Sequence, residues 1–308
     1  MDTLFVPLAL VAGGLLAVQA GANAQLSKAV GSPFAATTLQ LSVGTALLLL
    51  VALSTGTLAA FLALPRAVWW HLLGGIASAV YVVSTIVLFP RLGAVVSVGL
   101  FIAGQMLASF AIDGFGLIGV TGTGLRAGAV IGTAVVLLGA ALIVFGQAGG
   151  TDMLKRGKFG WIGLALFAGA VLPVQGAVNA LLRHDLGGAP FAVGAVSFFV
   201  ATLAMAAVLM LAIASKKAPR PDLGGVQAMP WWGWLGGFAG ATYVTTVFTA
   251  IPEIGAAAAV GFTVAGQQIA SVFVDRYGWF RLPQRPVSGP RLAGVVLLLA
   301  GVALIKLF

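Results

Sequence analysis

Two stretches of this apolar chain carry the same sequence, and this repetition restricts the fold more than any other feature. Residues 69–116 align with residues 231–278 at a constant offset of 162, without a gap, and 21 of the 48 positions are identical. The identities include distinctive residues as well as apolar ones, such as Pro90 with Pro252. Internal duplication in an apolar chain is typical of transporters that are built from two structural repeats.

The composition indicates a membrane protein. Hydrophobic residues make up 60% of the sequence and charged residues 7%, whereas soluble domains carry about 25% charged residues. Cysteine is absent, which excludes disulfides and thiolate chemistry. The net charge of +9 comes from Lys and Arg in short loops between apolar segments. We therefore interpret it as a topology signal rather than as a nucleic-acid-binding surface.

The sequence carries no motif of catalysis or nucleotide binding. It has no Walker A motif, no His/Glu spacing suited to a metal, and no charged residue in the middle of an apolar segment. We therefore expect neither an enzyme nor a cofactor, and no pump that is driven by ATP in this chain alone.

Apolar segments long enough to cross a bilayer, about 20 residues each, occur ten times. We predict membrane-spanning helices at residues 4–24, 33–54, 69–89, 93–114, 125–146, 159–182, 190–214, 231–251, 255–275 and 290–308. The repeat covers all of them, because the pattern Gln-x3-Asn-Ala at residues 19–24 recurs at residues 175–180 with an offset of 156. Likewise, Pro-Phe-Ala at residues 33–35 recurs at residues 190–192 with an offset of 157.

An odd number of helices in each copy has a geometric consequence. After five crossings the second copy must begin on the opposite side of the membrane, which makes the repeat inverted. The sequence therefore predicts an all-α integral membrane protein of ten transmembrane helices, with two inverted-topology five-helix repeats at residues 1–150 and 151–308.

The distribution of Lys and Arg predicts the orientation. Only Arg66, Arg126, Arg183 and Lys306 fall on the side that holds the N-terminus, and the other twelve of the 16 basic residues fall on the opposite side. The positive-inside rule then places both termini outside and the loop at residues 155–158 in the cytoplasm.

Neutral amides recur at matching positions of the first and sixth segments. Gln19 and Asn23 are four residues apart and share a helix face, and Gln175 and Asn179 repeat the arrangement. They could line a central cavity, where amides suit a neutral or zwitterionic solute. They could equally join neighbouring helices by hydrogen bonds.

A second set of polar residues lies in the middle of apolar segments. Gln105 and Gln267 each follow a glycine that permits close approach, and Tyr81 and Tyr243 lie far from the interfacial region where tyrosine is usual. Together with the four amides above, these residues are the candidates for solute binding.

Asp113 and Asp275 occupy equivalent positions in the aligned block. The inverted arrangement would put them at opposite membrane faces, where a carboxylate could couple protons or gate the pathway. The alternative is an interfacial residue that is satisfied by water, a helix end or a basic neighbour.

The chain resembles the drug/metabolite transporter superfamily in its two inverted, Gly- and Ala-rich five-helix halves. The Gln-x3-Asn-Ala pattern and the Gly-Gln pairs at residues 104–105 and 266–267 are more similar to its YdcZ-like branch. That branch consists of small five-helix bacterial inner-membrane proteins, and this chain looks like a fused pair of them. The resemblance implies secondary active transport of small metabolites or drugs, often outward. The small multidrug members carry a glutamate in the first helix, where this chain has Gln19 and Asn23.

These observations favour an alternating-access carrier in the bacterial inner membrane, with a site between helices 1, 3, 4, 6, 8 and 9 and export as the implied direction. Its partners would be a small-molecule solute, the lipid bilayer and a proton or other coupling ion. Glycine stripes on the fifth and tenth segments could pack within the chain or form a homodimer contact. A non-transporting scaffold subunit and a lipid flippase are the alternatives.

Overall fold

The computed structural model describes residues 2–119, 122, 124, 126–146, 159–254 and 256–307. Ten α-helices and no strands occur in this part of the chain. The helices are α1 Asp2–Val30, α2 Pro33–Ser54, α3 Gly74–Leu92, α4 Ala94–Phe115, α5 Ala127–Phe145, α6 Phe159–Asp185, α7 Pro190–Ala214, α8 Leu235–Ile254, α9 Ala256–Tyr277 and α10 Gly289–Leu307.

Each predicted segment corresponds to one α-helix, although several boundaries differ from the sequence estimate. The predicted third and eighth segments begin with short 3₁₀ turns at Trp69–Leu73 and Trp231–Trp234, so α3 and α8 themselves start later. Seven helices among the described residues are long and apolar enough to cross a membrane. The predicted boundary at residues 150 and 151 and the loop at residues 155–158 lie outside the described residues.

Helix boundaries follow local chemistry. The hydroxyl of Ser32 accepts a hydrogen bond of 3.3 Å from the backbone N–H of Ala35, and Pro33 occupies the first position of α2. These are strong signals for a helix N-terminus. Gly93 separates α3 from α4 with φ +87°, a conformation that residues with a side chain rarely adopt.

Helices of the first half pack mainly against helices of the second half. α1 packs on α8 and α9, α6 packs on α3 and α4, α2 packs on α7, and α5 packs on α10. The pairs themselves obey the repeat: replacing each helix by its equivalent in the other half gives the same set of pairs. The two sequence halves are therefore intertwined rather than separate bodies, and a buried core continues through both of them.

Individual contacts follow the repeat as well. Gly104 on α4 lies against the backbone carbonyl of Leu166 on α6, and the equivalent Gly266 on α9 lies against the carbonyl of Leu10 on α1. Neither glycine has room for a side chain, so each repeat-related helix pair is held at backbone contact.

The glycine stripes of α5 and α10 face each other within the chain. A Cβ atom on Gly139 would lie 2.7 Å from the carbonyl oxygen of Gly294, and a Cβ atom on Gly132 would lie 2.8 Å from that of Gly301. Of the two alternatives for these stripes, the structure therefore shows packing within the chain.

Candidate functional site

A cavity of about 470 Å³ lies between the helices that carry the predicted polar residues. Its walls come from α1, α3, α4, α6, α7 and α8, and no described residue of α9 contributes. Its polar lining residues are Gln19, Ser78, Tyr81, Gln105, Ser109, Asp113, Gln175, Asn179, Arg183 and Tyr243. The remaining surface is mostly aliphatic, with one ring from Phe198. A volume of this size suits a small organic molecule.

Six of the eight residues predicted to bind solute line this cavity, and two lie behind it. Gln267 donates a hydrogen bond of 2.7 Å from its Nε2 atom to the hydroxyl of Tyr81, and so orients that ring. Asn23 is fully buried between α1 and α8, against the backbone of Gly236. Neither of these two side chains lines the cavity directly.

Gln175, Asn179 and Ser197 form what we call the second amide cluster. The Nε2 atom of Gln175 donates to the hydroxyl of Ser78 at 2.5 Å and to that of Ser197 at 3.2 Å. The Nδ2 atom of Asn179 donates to the same Ser197 hydroxyl at 3.3 Å. The amide nitrogens of this cluster are thus paired with protein groups.

Gln19, Asn23 and Gln40 form the first amide cluster, at the repeat-equivalent positions. Here α8 presents Gly240 where α3 presents Ser78, and α2 presents Gln40 where α7 presents Ser197. Both amide atoms of Asn23 and both of Gln40 are buried and without a hydrogen-bond partner. Sequence reasoning missed Gln40, although its equivalence to Ser197 can be read from the offset of 157.

The two aspartates lie at opposite ends of α4, and their surroundings differ. Ala94, where α4 starts, and Asp113 are 19 residues apart, which is about 28 Å along a helix. Asp113 is exposed at the end of the cavity where Arg183 also lies. Asp275 is 2% exposed and lies at the other end, where α4 begins.

Asp275 joins four segments of the chain. Its carboxylate accepts backbone N–H groups from Ala94 at 2.7 Å and Val95 at 3.1 Å, and it forms an ion pair of 2.9 Å with Arg291. Its own carbonyl accepts the backbone N–H of Arg285 at 2.8 Å. A carboxylate at a helix N-terminus is stabilised both by the free N–H groups and by the helix dipole.

Arg285, in the loop before α10, adds further contacts at this end of α4. Its guanidinium donates to the carbonyl oxygens of Pro90 and Arg91 at the end of α3, at 3.3 and 3.2 Å. The loop therefore connects the α3–α4 junction to the end of α9. Arg276 is the basic residue next to Asp275 in the sequence, but the ion pair of its carboxylate is with Arg291.

A further pair links the 3₁₀ turn before α3 to the end of α6. The Nδ1 atom of His71 lies 2.6 Å from a carboxylate oxygen of Asp185. No group of three or more His, Cys, Asp or Glu residues suited to a metal ion occurs in the described part of the chain.

Comparison with known proteins gives one family and one fold. The model of the family described as "Putative inner membrane exporter, YdcZ" matches residues 4–142 and again residues 160–304. No curated protein matches the chain. A solved structure described as "Crystal structure of protein" is similar over 99% of this chain and 96% of its own, with a TM-score of 0.60 and 20% sequence identity. At that identity, the likeness supports the fold alone.

Proposed function

Because the chain belongs to the YdcZ family of inner membrane exporters, we propose that it is a secondary active transporter that moves a small polar or amphipathic solute outward by alternating access. The observation that carries this proposal is the form of the cavity. It reaches Arg183 and the exposed Asp113 at one end, whereas the contacts of Asp275 close the structure at the other. An access path at one end only is what one state of an alternating-access carrier requires.

In this proposal all ten helices cross the membrane as two inverted repeats. The exchange symmetry of the helix pairs supports it, as does the contact between the hydroxyls of Thr45 and Thr202, which are 3.3 Å apart and repeat-equivalent at the offset of 157. With both termini outside, Asp113 lies at the outer face and Asp275 at the cytoplasmic face. The cavity then opens outward.

The moving units are two helix bundles rather than the two sequence halves. α1, α8 and α9 pack on one another, and α3, α4 and α6 form the equivalent set. Each bundle mixes helices of both halves, so halves that rock as units would have to break their most extensive contacts. Movement of one bundle against the other would change access to the cavity that lies between them.

Asp275 and Asp113 act as gates at the two faces. In the state described here, Asp275 caps α4 and closes the cytoplasmic end. The inverted repeat provides the equivalent closure, in which Asp113 would cap α9. Arg285 and Arg291 have Thr123 and Ala129 at the equivalent positions of the first half, so the cytoplasmic closure is the stronger one. Without solute, the carrier therefore favours the outward-open state.

Reconstitution into liposomes tests the proposed function. The purified chain is assayed with a panel of labelled uncharged, zwitterionic and amphipathic metabolites, with and without an imposed proton gradient. We expect saturable flux of at least one solute class, and faster flux with the gradient if protons provide the coupling. An absence of flux for every solute, together with a stably co-purifying protein, would instead identify a scaffold subunit.

A further inference from the structure

The two amide clusters differ in one respect that the repeat does not explain. In the second cluster, Ser78 and Ser197 accept the hydrogen bonds of the amide nitrogens. In the first cluster, the position of Ser78 is Gly240, which has no hydroxyl, and the position of Ser197 is a third amide, Gln40. The amide nitrogens of the second cluster are therefore paired within the protein, and the carbonyl oxygen of Asn179 is its unpaired atom. In the first cluster, both the nitrogen and the oxygen of Asn23 and of Gln40 are unpaired.

Buried polar groups without partners are rare, because desolvation without a compensating hydrogen bond is unfavourable. Asn23 is 0% exposed and Gln40 is 1% exposed, and together they leave two carbonyl oxygens and two amide nitrogens unpaired. Four such atoms in one cluster indicate a place where a bound group supplies the missing donors and acceptors.

The first amide cluster adjoins the cavity through a gap in α8. Gln19 and Gly240 both line the cavity. A Cβ atom on Gly240 would lie 2.5 Å from the Nε2 atom of Gln19 and 3.4 Å from that of Gln40. The two amides thus converge on a site where α8 has no side chain. Gln19 lines the cavity there, whereas Asn23 and Gln40 lie behind it, so a solute that reaches this site contacts Gln19 first.

The lining chemistry restricts what this site can hold. Amides both donate and accept hydrogen bonds, so they match a group that does the same. Among the described lining residues, the charged ones are Asp113 and Arg183, at the open end. A charged group at the first amide cluster would therefore be buried without a counter-ion, which is strongly unfavourable. The neighbouring walls are apolar, with Leu16 and Val244 close by in the chain.

We propose that the first amide cluster binds the uncharged donor–acceptor head group of the transported solute, a carboxamide on an apolar body being the chemical class that fits. The second cluster serves as its structural counterpart. This inference rests on the transport function proposed above and assigns the orientation of the solute, with its polar end between α1, α2 and α8.

The change Gly240→Ser tests the assignment, because it introduces the hydroxyl that Ser78 provides in the other half. The nearest atom to the new side chain is the flexible end of Gln19, which can shift. The hydroxyl would satisfy the cluster internally, so we expect the thermal unfolding temperature without solute to be equal or higher. Binding should weaken by at least about tenfold, the effect of losing a buried hydrogen-bonding site.

The probes are benzamide and nicotinamide, with benzoate and nicotinate as charged analogues of the same shape. Calorimetric titration of the detergent-solubilised full chain should show that the amides bind and that the acids bind at least about tenfold more weakly. Gly163→Ser, which places a hydroxyl in open space on α6 away from the cavity, should bind like wild type. If Gly240→Ser does not fold, Gln40→Ser, which copies Ser197, should show the same loss of amide binding.

Equal binding of acids and amides, no binding of either amide to the wild-type chain, or undiminished binding by Gly240→Ser would each overturn the inference. These results are distinct from failure of the proposed function. If the chain transports other solutes in liposomes but shows one of these results, the proposed function stands and the proposed site is refuted. If the chain moves no solute, the proposed function itself is refuted.

Discussion

Asp275 caps the helix that begins at Ala94, 181 residues earlier in the sequence, through a hydrogen bond of 2.7 Å. The same carboxylate is paired with Arg291, and both side chains are almost fully buried. A buried ion pair adds little net stability by itself, but removal of one partner leaves an uncompensated charge. The contact therefore makes closure of this end depend on both residues being in place.

Asp275→Asn should open the closed end. The amide keeps the shape of the side chain, but it leaves the guanidinium of Arg291 buried without a counter-ion, a loss of about 3–5 kcal/mol. Ser97 is fully buried one turn into α4, and the native chain has no cysteine. We expect Ser97→Cys to resist a water-soluble maleimide in the otherwise native chain and to react in the Asp275→Asn background.

Ser109→Cys is the matched control for this experiment. Ser109 lies on the same helix and lines the cavity near the exposed Asp113, so a cysteine there should react in both backgrounds. If Ser97→Cys remained protected after the loss of the carboxylate, Asp275 would be a structural residue and not a gate.

A double-mutant cycle separates the ion pair from the helix cap. Arg291→Met alone should destabilise the fold, because Asp275 then keeps only its backbone donors. The double variant Asp275→Asn, Arg291→Met should lose less than the sum of the single changes, with a coupling energy of about 0.5–3 kcal/mol. Thermal or chemical unfolding of the four proteins in detergent measures this coupling. Additive losses would mean that the two residues contribute independently.

The repeat-equivalent glutamines should respond differently to the same substitution. Gln175→Ala removes hydrogen bonds to Ser78 and Ser197, and we expect it to lower unfolding stability by about 1–3 kcal/mol in addition to weakening solute binding. Gln19→Ala should weaken binding with a smaller loss of stability, because Gln19 faces Gly240. Unfolding and solute binding are measured in parallel on both variants. Equal losses of stability would contradict the expected difference between the two glutamines.

Two glycines provide a matched test of helix packing. Gly104→Ala would drive a Cβ atom into the carbonyl group of Leu166, so α4 and α6 would have to separate. Gly163→Ala, on α6, meets no protein atom. We expect a loss of about 1–3 kcal/mol for the first change and almost none for the second, as judged by unfolding in detergent. Similar behaviour of the two variants would argue against close contact between α4 and α6.

The positions of the helices could be predicted from the sequence, because a bilayer requires long apolar segments whose ends are marked by residues such as Pro33 and Gly93. Which helices pack against each other could not be predicted from the sequence. Contacts such as that of Gly104 with Leu166 depend on the face that each helix turns to its neighbours, and nearly uniform apolar segments carry little of that information.

For the candidate site, the sequence identified most of the polar residues that line the cavity, because mid-segment amides and phenols are rare in lipid. The sequence did not reveal that Gly240 removes a hydrogen-bond acceptor from the first amide cluster. This becomes apparent only in the structure, where its repeat equivalent, Ser78, accepts a hydrogen bond. The sequence also missed Arg291, because the loop before α10 must fold back before that residue can contact Asp275.

The packing of α1 against α8 and α9 also constrains how the protein is made. The ribosome releases α1 long before it has synthesised α8 and α9. The face of α1 that carries Gln19 and Asn23 therefore has no final packing partner until more than 200 further residues have been translated. Folding of the chain is therefore largely post-insertional. A chain that stopped before α8 would leave Gln19 and Asn23 without the helices that α1 packs against, and unpaired polar groups in lipid are unfavourable.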